Sequence, residues 1–195
     1  MINLYKKNRL KLEKNHAYHR SMERDACGVG LVASTEGKKS REVVEYGIEA
    51  LKAVWHRGAV DADGKTGDGA GIHIEIPSDF FAEKIELTGH KFDNSKICVG
   101  MIFLPRDNYI AQETCRTLIE KELTKSNFSI YGWRQVPVNT KVLGEKANST
   151  RPEIAQVIFR HNDKNLSGKK LEIKLYESRR KIEKEARNNL LDNFY

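Results

Sequence analysis

The chain has 195 residues, 39% hydrophobic and 8% aromatic, which suits a single domain, or part of a larger one, with a core of ordinary size. It has no apolar run of the roughly 18 residues that a membrane helix needs, and its first 26 residues lack the apolar centre of a secretory signal. Its three cysteines, Cys27, Cys98 and Cys115, are too few and too widely spaced for a disulfide framework or a zinc knuckle, and suit a reducing, cytoplasmic compartment. The net charge of +7 is local: residues 1–26 carry seven Lys and Arg against three acids, and residues 164–187 carry nine against four. Two such stretches admit an acidic partner, but they equally describe a polar leader and the solvated face of a helix.

The leader, residues 1–26, gives way to a short apolar run, Cys27 to Ser34, which reads as a buried strand. Thr35–Lys38 is a turn. Ser40 can cap a helix reaching about Trp55, with Val44, Ile48, Leu51 and Trp55 on one stripe. Five glycines in the sixteen residues from His56 to Gly71 make a tight loop, with Asp61, Asp63 and Asp68 between them. The loop is neither an EF-hand, because its twelfth position is Ile72, nor a phosphate loop, because no Lys-Ser/Thr follows its last glycine. No metal site is expected.

Alternating isoleucines at 72, 74 and 76 predict a half-buried strand closed by Pro77, and Ser78 can cap a helix to about Leu87. Lys96–Leu104 is apolar on both faces, which predicts a central strand. A helix over 108–126 turns Ala111, Cys115, Leu118 and Ile119 inward, with Cys115 as a packing residue. Strands follow at Phe128–Val138 and Ile154–His161. A charged helix from Leu171 to about Asn189 has Leu171, Leu175, Ile182, Ala186 and Leu190 on one stripe. This alternation alone would also suit a doubly wound parallel sheet.

Cys27 is the residue with chemistry to explain. A thiol attacks as thiolate, and a free cysteine is only about a few per cent ionised at neutral pH. If the leader were removed, Cys27 would carry its own base, an α-amino group with a pKa of about 7.7–8.0. A lone cysteine beside glycines is otherwise a small buried hydrophobe. A Cys–His pair of Cys27 with His56, leader retained, is the competing catalytic reading.

Asp25-Ala26-Cys27-Gly28-Val29-Gly30, His56-Arg57-Gly58, Thr66-Gly67-Asp68-Gly69-Ala70-Gly71, Trp133-Arg134-Gln135-Val136-Pro137-Val138-Asn139, Leu143-Gly144 and the helix-like 175–183 stand in one order. Together they closely resemble the N-terminal class II glutamine amidotransferase domain of the glutamate synthase large-subunit family. The resemblance runs from Arg24 onward. It implies an α+β fold of the N-terminal-nucleophile hydrolase type, with stacked, mostly antiparallel sheets between helical layers, incomplete in this chain. It implies a propeptide-like leader at 1–26 and the first part of the amidotransferase domain at 27–195.

By the same resemblance Cys27 is the nucleophile that attacks the side-chain amide of glutamine, and Arg57 holds the α-carboxylate. His56 is then structural, and the Thr66–Gly71 segment lies near the glutamine site. The ammonia released serves the reductive conversion of 2-oxoglutarate to glutamate. That reaction needs FMN, an iron–sulfur cluster and NADPH or ferredoxin in the rest of the large chain, with a small subunit as a further partner and neither nucleic acid nor membrane. The family's oxyanion-hole Asn-Gly does not occur among the 195 residues, so the stretch alone is expected to be inactive. The alternative is an inactive truncated module with a basic binding surface.

Overall fold

The computed structural model describes residues 28–54, 58–67 and 69–189, together with Lys7, Leu10, Leu191 and Phe194. The chain divides into two units, one of residues 1–59 with 68–72, the other of residues 60–67 with 73–195.

In the first unit, helix α1 (Arg41–Ala53) begins where Ser40 accepts a hydrogen bond from the Glu42 N–H at 3.1 Å. Val44, Ile48 and Leu51 share its half-buried stripe, as the period predicts, yet none is fully buried. The strand expected at Cys27–Ser34 is not formed over its described residues. Residues 28–34 carry no ladder, and Val29 and Leu31 are 93% and 92% exposed. Apolar alternation favours extended backbone, but a strand also needs a neighbour for its N–H and C=O groups. No described segment supplies one here.

The second unit is built on one antiparallel sheet. Its strands are β1 (Cys98–Leu104), β2 (Phe128–Gln135) and β3 (Glu153–His161), in the order β1-β3-β2. Cys98 pairs with Phe159 and Leu104 with Glu153 on one side of β3; Phe128 pairs with His161 and Gln135 with Ala155 on the other. β1 was expected to be central and is an edge strand. Its apolar character on both faces comes from helices above and below, and it is β3 that is paired on both sides. The antiparallel order excludes the doubly wound alternative.

Helices α3 (Tyr109–Lys125) and α5 (Gly168–Asn188) cover one face of the sheet. Ile119, Leu123 and Leu171 pack there on Cys98, Phe128, Val157 and Phe159. The α5 stripe is the expected one, completed by Ser178, which is buried because its Oγ donates to the Lys174 carbonyl at 2.8 Å. Leu190 lies outside the described residues. Cys115 is fully buried against Leu104 and Ala155, the packing role expected of it.

Helix α2 (Ser78–Leu87) covers part of the other face, where Phe81 and Ile85 meet Ile97, Tyr131 and Ile158. Its cap position is Pro77 and not Ser78, which is already helical. The strand expected at 72–76 is absent. Ile76 reaches the α2 cluster, while Ile72 and Ile74 are nearly half exposed and no described strand pairs with them.

β2 contains a bulge that periodicity did not reveal. Ile130 pairs with Phe159 and Gly132 with Ile158, so Tyr131 is the extra residue. The insertion lets Ile130 and Trp133 share the α3/α5 face while Tyr131 packs on the α2 face. There the Tyr131 hydroxyl donates to Asp93 Oδ1 at 3.1 Å, and Lys164 meets Asp93 Oδ2 at 2.8 Å. The Lys164 contact, followed by hydrogen bonds from Ser95 and Tyr131, holds the Asp93 carboxyl well below the usual range. Gly132 has φ of 153°, and a side-chain carbon there would lie 2.9 Å from Thr88 Cγ2 at the end of α2. Gly132→Ala therefore adds backbone strain and a collision, and should lower stability by about 1–3 kcal/mol. The check is a urea melt in which the midpoint falls and the slope is unchanged.

Candidate functional site

Cys27, His56, Arg57 and Asp68 lie outside the described residues; their nearest described neighbours do not. Gly28 follows Cys27 directly, and Val54 ends α1 three residues before Arg57. The two are adjacent: a methyl group on Gly28 would sit 3.8 Å from Val54 Cγ2. The helix thus returns the chain to the start of the apolar run, with Val54 beside Gly28.

Beyond Gly58 the loop closes on itself within the second unit. Val60 and Gly67 form an isolated antiparallel bridge, and the Asp61 N–H donates to the Thr66 carbonyl at 2.7 Å. The Gly64 N–H donates to the Asp61 carbonyl at 3.0 Å, with Gly64 at φ of 68°, a conformation open to glycine at little cost. Asp63 ties the tip together. Its Oδ1 accepts from the backbone N–H of Lys65 at 2.9 Å and of Thr66 at 2.7 Å, and its Oδ2 accepts from the Thr66 hydroxyl at 2.6 Å.

The loop rests on a segment to which the sequence reading assigned no element. A 3₁₀ turn (Thr140–Val142) and the short helix α4 (Glu145–Thr150) follow β2. Gly144 is the N-cap of α4 and has no side chain with which to cap it. The loop provides the cap instead. The Ala147 N–H donates to Thr66 Oγ1 at 3.3 Å, and the Lys146 N–H donates to Asp63. Lys146 also reaches back with its ammonium, 2.6 Å from Asp61 Oδ2. Gly144 must be glycine, because a side-chain carbon there would overlap Asp63 Oδ2 and Thr66 Oγ1. Asp61 thus faces an ammonium and Asp63 backbone N–H groups. A signal was available in the sequence: Gly before a helix of charged and small residues, with Asp and Thr three apart in a glycine-rich loop.

Trp133-Arg134-Gln135 serves packing. Trp133 Nε1 donates to Glu120 Oε1 at 2.6 Å under the Arg116 guanidinium, and Arg134 donates to Gln156 at 2.7 Å while lying over Phe80. Three of the eight α5 cations pair within their own helix: Lys174 with Glu177, and Arg179 and Arg180 with Glu183.

Cys98 and Cys115 are free and buried. Burial pushes the Cys98 thiol up to about 11 and raises that of Cys115, the opposite of what a metal-bound thiolate requires. No group of three His, Cys, Asp or Glu able to hold a metal ion occurs among the described residues. These cysteines do not fit an iron–sulfur cluster. No helix among the described residues is long and apolar enough to cross a membrane.

The hydrogen bond from the Thr66 hydroxyl, with those from the Thr66, Lys65 and Lys146 backbone, lowers the Asp63 carboxyl to about 2. A carboxyl depressed in the folded state contributes stability above its ordinary pKa and loses it as pH falls through the depressed value. The loop's attachment to α4 should therefore survive acidification to about pH 3 and release near pH 2. A carbon-detected NMR titration of the Asp63 carboxyl should give a midpoint near 2, with the Thr66 and Ala147 amide shifts moving together with it.

Residues 27–195 match the family of glutamine amidotransferases class-II. The chain is 51% identical over 191 residues to the glutamate synthase [NADPH] large chain of Azospirillum brasilense, covering 98% of this chain and 12% of that protein. It is 40% identical over 163 residues to the ferredoxin-dependent glutamate synthase of Pyropia yezoensis, covering 83% of this chain and 10% of that protein. With ferredoxin-dependent glutamate synthase 2 of Synechocystis it shares 36% identity over 174 residues, 89% of this chain and 11% of that protein. It spans about a tenth of the length of these relatives. With an α+β architecture, an antiparallel sheet flanked by helices and a family match over most of its length, the chain belongs to the class II glutamine amidotransferases.

Proposed function

We propose that this chain is the N-terminal part of a glutamate synthase large chain, in which it carries out the glutaminase half-reaction. The observation that carries the reading is where the family match begins: at Cys27, the residue whose α-amine the chemistry needs. The similarity to the Azospirillum large chain takes in 191 of the 195 residues, so it extends through nearly all of the leader that must be removed. Residues 1–26 are then a propeptide, and 27–195 begin the amidotransferase domain. The approach of Gly28 to Val54 supports a site shared by Cys27 and Arg57.

In this reading the α-amine of Cys27 takes the thiol proton, and the thiolate attacks the side-chain amide carbon of glutamine. The carbon–nitrogen bond breaks, the proton passes to the departing nitrogen, and ammonia leaves behind a glutamyl thioester. Water, deprotonated by the same amine, cleaves the thioester to glutamate and restores the thiol. Arg57 holds the substrate α-carboxylate through its two-pronged guanidinium. The ammonia is consumed by 2-oxoglutarate with electrons from NADPH or ferredoxin, the donors in the relatives' names. The flavin and iron–sulfur chemistry belongs to the remainder of the large chain, since the cysteines described here do not fit a cluster. A small subunit and a cytoplasmic location complete the reading.

Three experiments test it: gene sequencing, intact mass and variant kinetics. Sequencing the gene past the codon for Tyr195 should show an open frame that soon encodes an Asn-Gly pair. Intact mass of the expressed full-length product should show loss of residues 1–26. Cys27→Ser should abolish glutaminase activity, and Arg57→Lys should raise the glutamine KM by about tenfold or more, because a point charge replaces a bidentate fork. Full activity with the leader retained would overturn the assignment in favour of a Cys–His hydrolase.

A further inference from the structure

We propose that the outer face of α5 docks an acidic helix supplied by the remainder of the large chain. The inference rests on the glutamate synthase reading above and adds to it a surface by which the amidotransferase part is held to the rest.

At about 100° per residue, Lys169, Ile173, Tyr176, Arg180, Lys184 and Arg187 fall within one band about 80° wide. The band lies opposite Leu171, Ser178 and Ala186, the buried residues of the helix. All six of its side chains are exposed, and the acids of α5, Glu172, Glu177, Glu183 and Glu185, lie outside it. Five of the eight cations on the helix, Lys169, Lys170, Lys181, Lys184 and Arg187, enter no ion pair among the described residues. Between the cations stand two large apolar side chains one turn apart, Ile173 at 48% exposure and Tyr176 at 58%. Charge alone would keep this face in water. The apolar pair gives it something to bury.

The spacing says what fits. The six residues recur every three or four positions along a line about 27 Å long. A second helix laid alongside meets such a row at every turn. A phosphate backbone could use the cations, but it has nothing to set against Ile173. The occupant is therefore a helix with apolar side chains over Ile173 and Tyr176, and with Asp or Glu facing Arg180, Lys184 and Arg187.

The size of the face says where that helix comes from. It is one helix wide, about 10–12 Å, and falls well short of the roughly 800 Å² per partner that a stable complex between separate molecules buries. A tethered segment needs far less, because a linker holds it at an effective concentration of about millimolar. This chain spans about a tenth of the length of its relatives, which leaves ample polypeptide to supply the segment.

The test is a cross-link map of the full-length protein with a zero-length carbodiimide, which joins an amine to a carboxylate only where the two touch. Lys169 and Lys184 should be joined to Asp or Glu residues of one segment beyond Tyr195, and those acids should themselves be three or four positions apart. The yield should fall at least about fivefold when the salt is raised from about 0.05 to 0.5 M, since the pairs are exposed. In Lys184→Met with Arg187→Met, which keeps the stems and removes two charges, the Lys169 cross-links should fall by a similar factor with the melting midpoint unchanged. The salt series on the unaltered protein decides the matter even if that variant folds poorly. Cross-links confined to α5, cross-links to a second copy or to a separate subunit, yields indifferent to salt, or nucleic acid retained on the purified protein would each overturn the proposal. The map needs no catalysis, so its failure is distinct from that of the glutaminase reading, which falls if the same unaltered protein releases no ammonia from glutamine.

Discussion

The second unit depends on the double pairing of β3. Residues 153–159 of β3 pair with β1 and residues 155–161 with β2, so β3 is the only strand of this sheet with a neighbour on both sides. Val157, Ile158 and Phe159 sit at its centre, almost fully buried, and they alternate between the two faces. Val157 and Phe159 meet α3 and α5, while Ile158 meets α2. Strand pairing and helix packing are thus properties of the same residues, and neither sheet face is assembled independently of the other.

From that strand the polar devices follow by position. The bulge at Tyr131 is possible because β3 continues undisturbed opposite it, and it turns the tyrosine toward Asp93. At the far end β2 runs out beside β3 with one more backbone bond, Val136 N–H to the Ile154 carbonyl at 2.9 Å. The chain then turns through the 3₁₀ segment into α4 and back into β3. α4 is therefore a surface excursion between two adjacent strands. Its position is anchored by the sheet, which makes it a firm support for the glycine-rich loop.

Sequence periodicity read the helices well, because a helix satisfies its own backbone and its boundaries are written locally. Ser40 is a capping residue in fact as well as in pattern. Strands were read less well for the converse reason. Nothing within 28–34 or 72–76 says what lies beside them, and the described residues leave both without a ladder. The same dependence reversed the rank of β1 and β3: hydrophobicity on both faces reports covering layers, not lateral neighbours. The bulge was invisible for a third reason. An extra residue shifts the alternation by one, and Phe128 to Gln135 is apolar enough on both sides to hide the shift.

The candidate site was legible to a different degree at each level. Physical reasoning could say only that Cys27 needs a base and that a freed α-amine would be one; the ordered motifs gave it a partner in Arg57. Neither route gave a structural role to Asp61 and Asp63, which resembled a cation loop missing its last ligand, while the resemblance placed Thr66–Gly71 only near the glutamine site. Their meaning lies some eighty residues away, in a glycine that cannot cap its own helix. Capping is usually read as a local code because the cap and the N–H groups it serves are usually three residues apart. When a fold brings a loop carboxylate and hydroxyl to a helix start, the capping side chain disappears from the helix and a glycine takes its place. An uncapped helix start with an apparently needless glycine is therefore a sequence-level sign of a docked partner segment. In this chain the partner is the loop that follows Arg57.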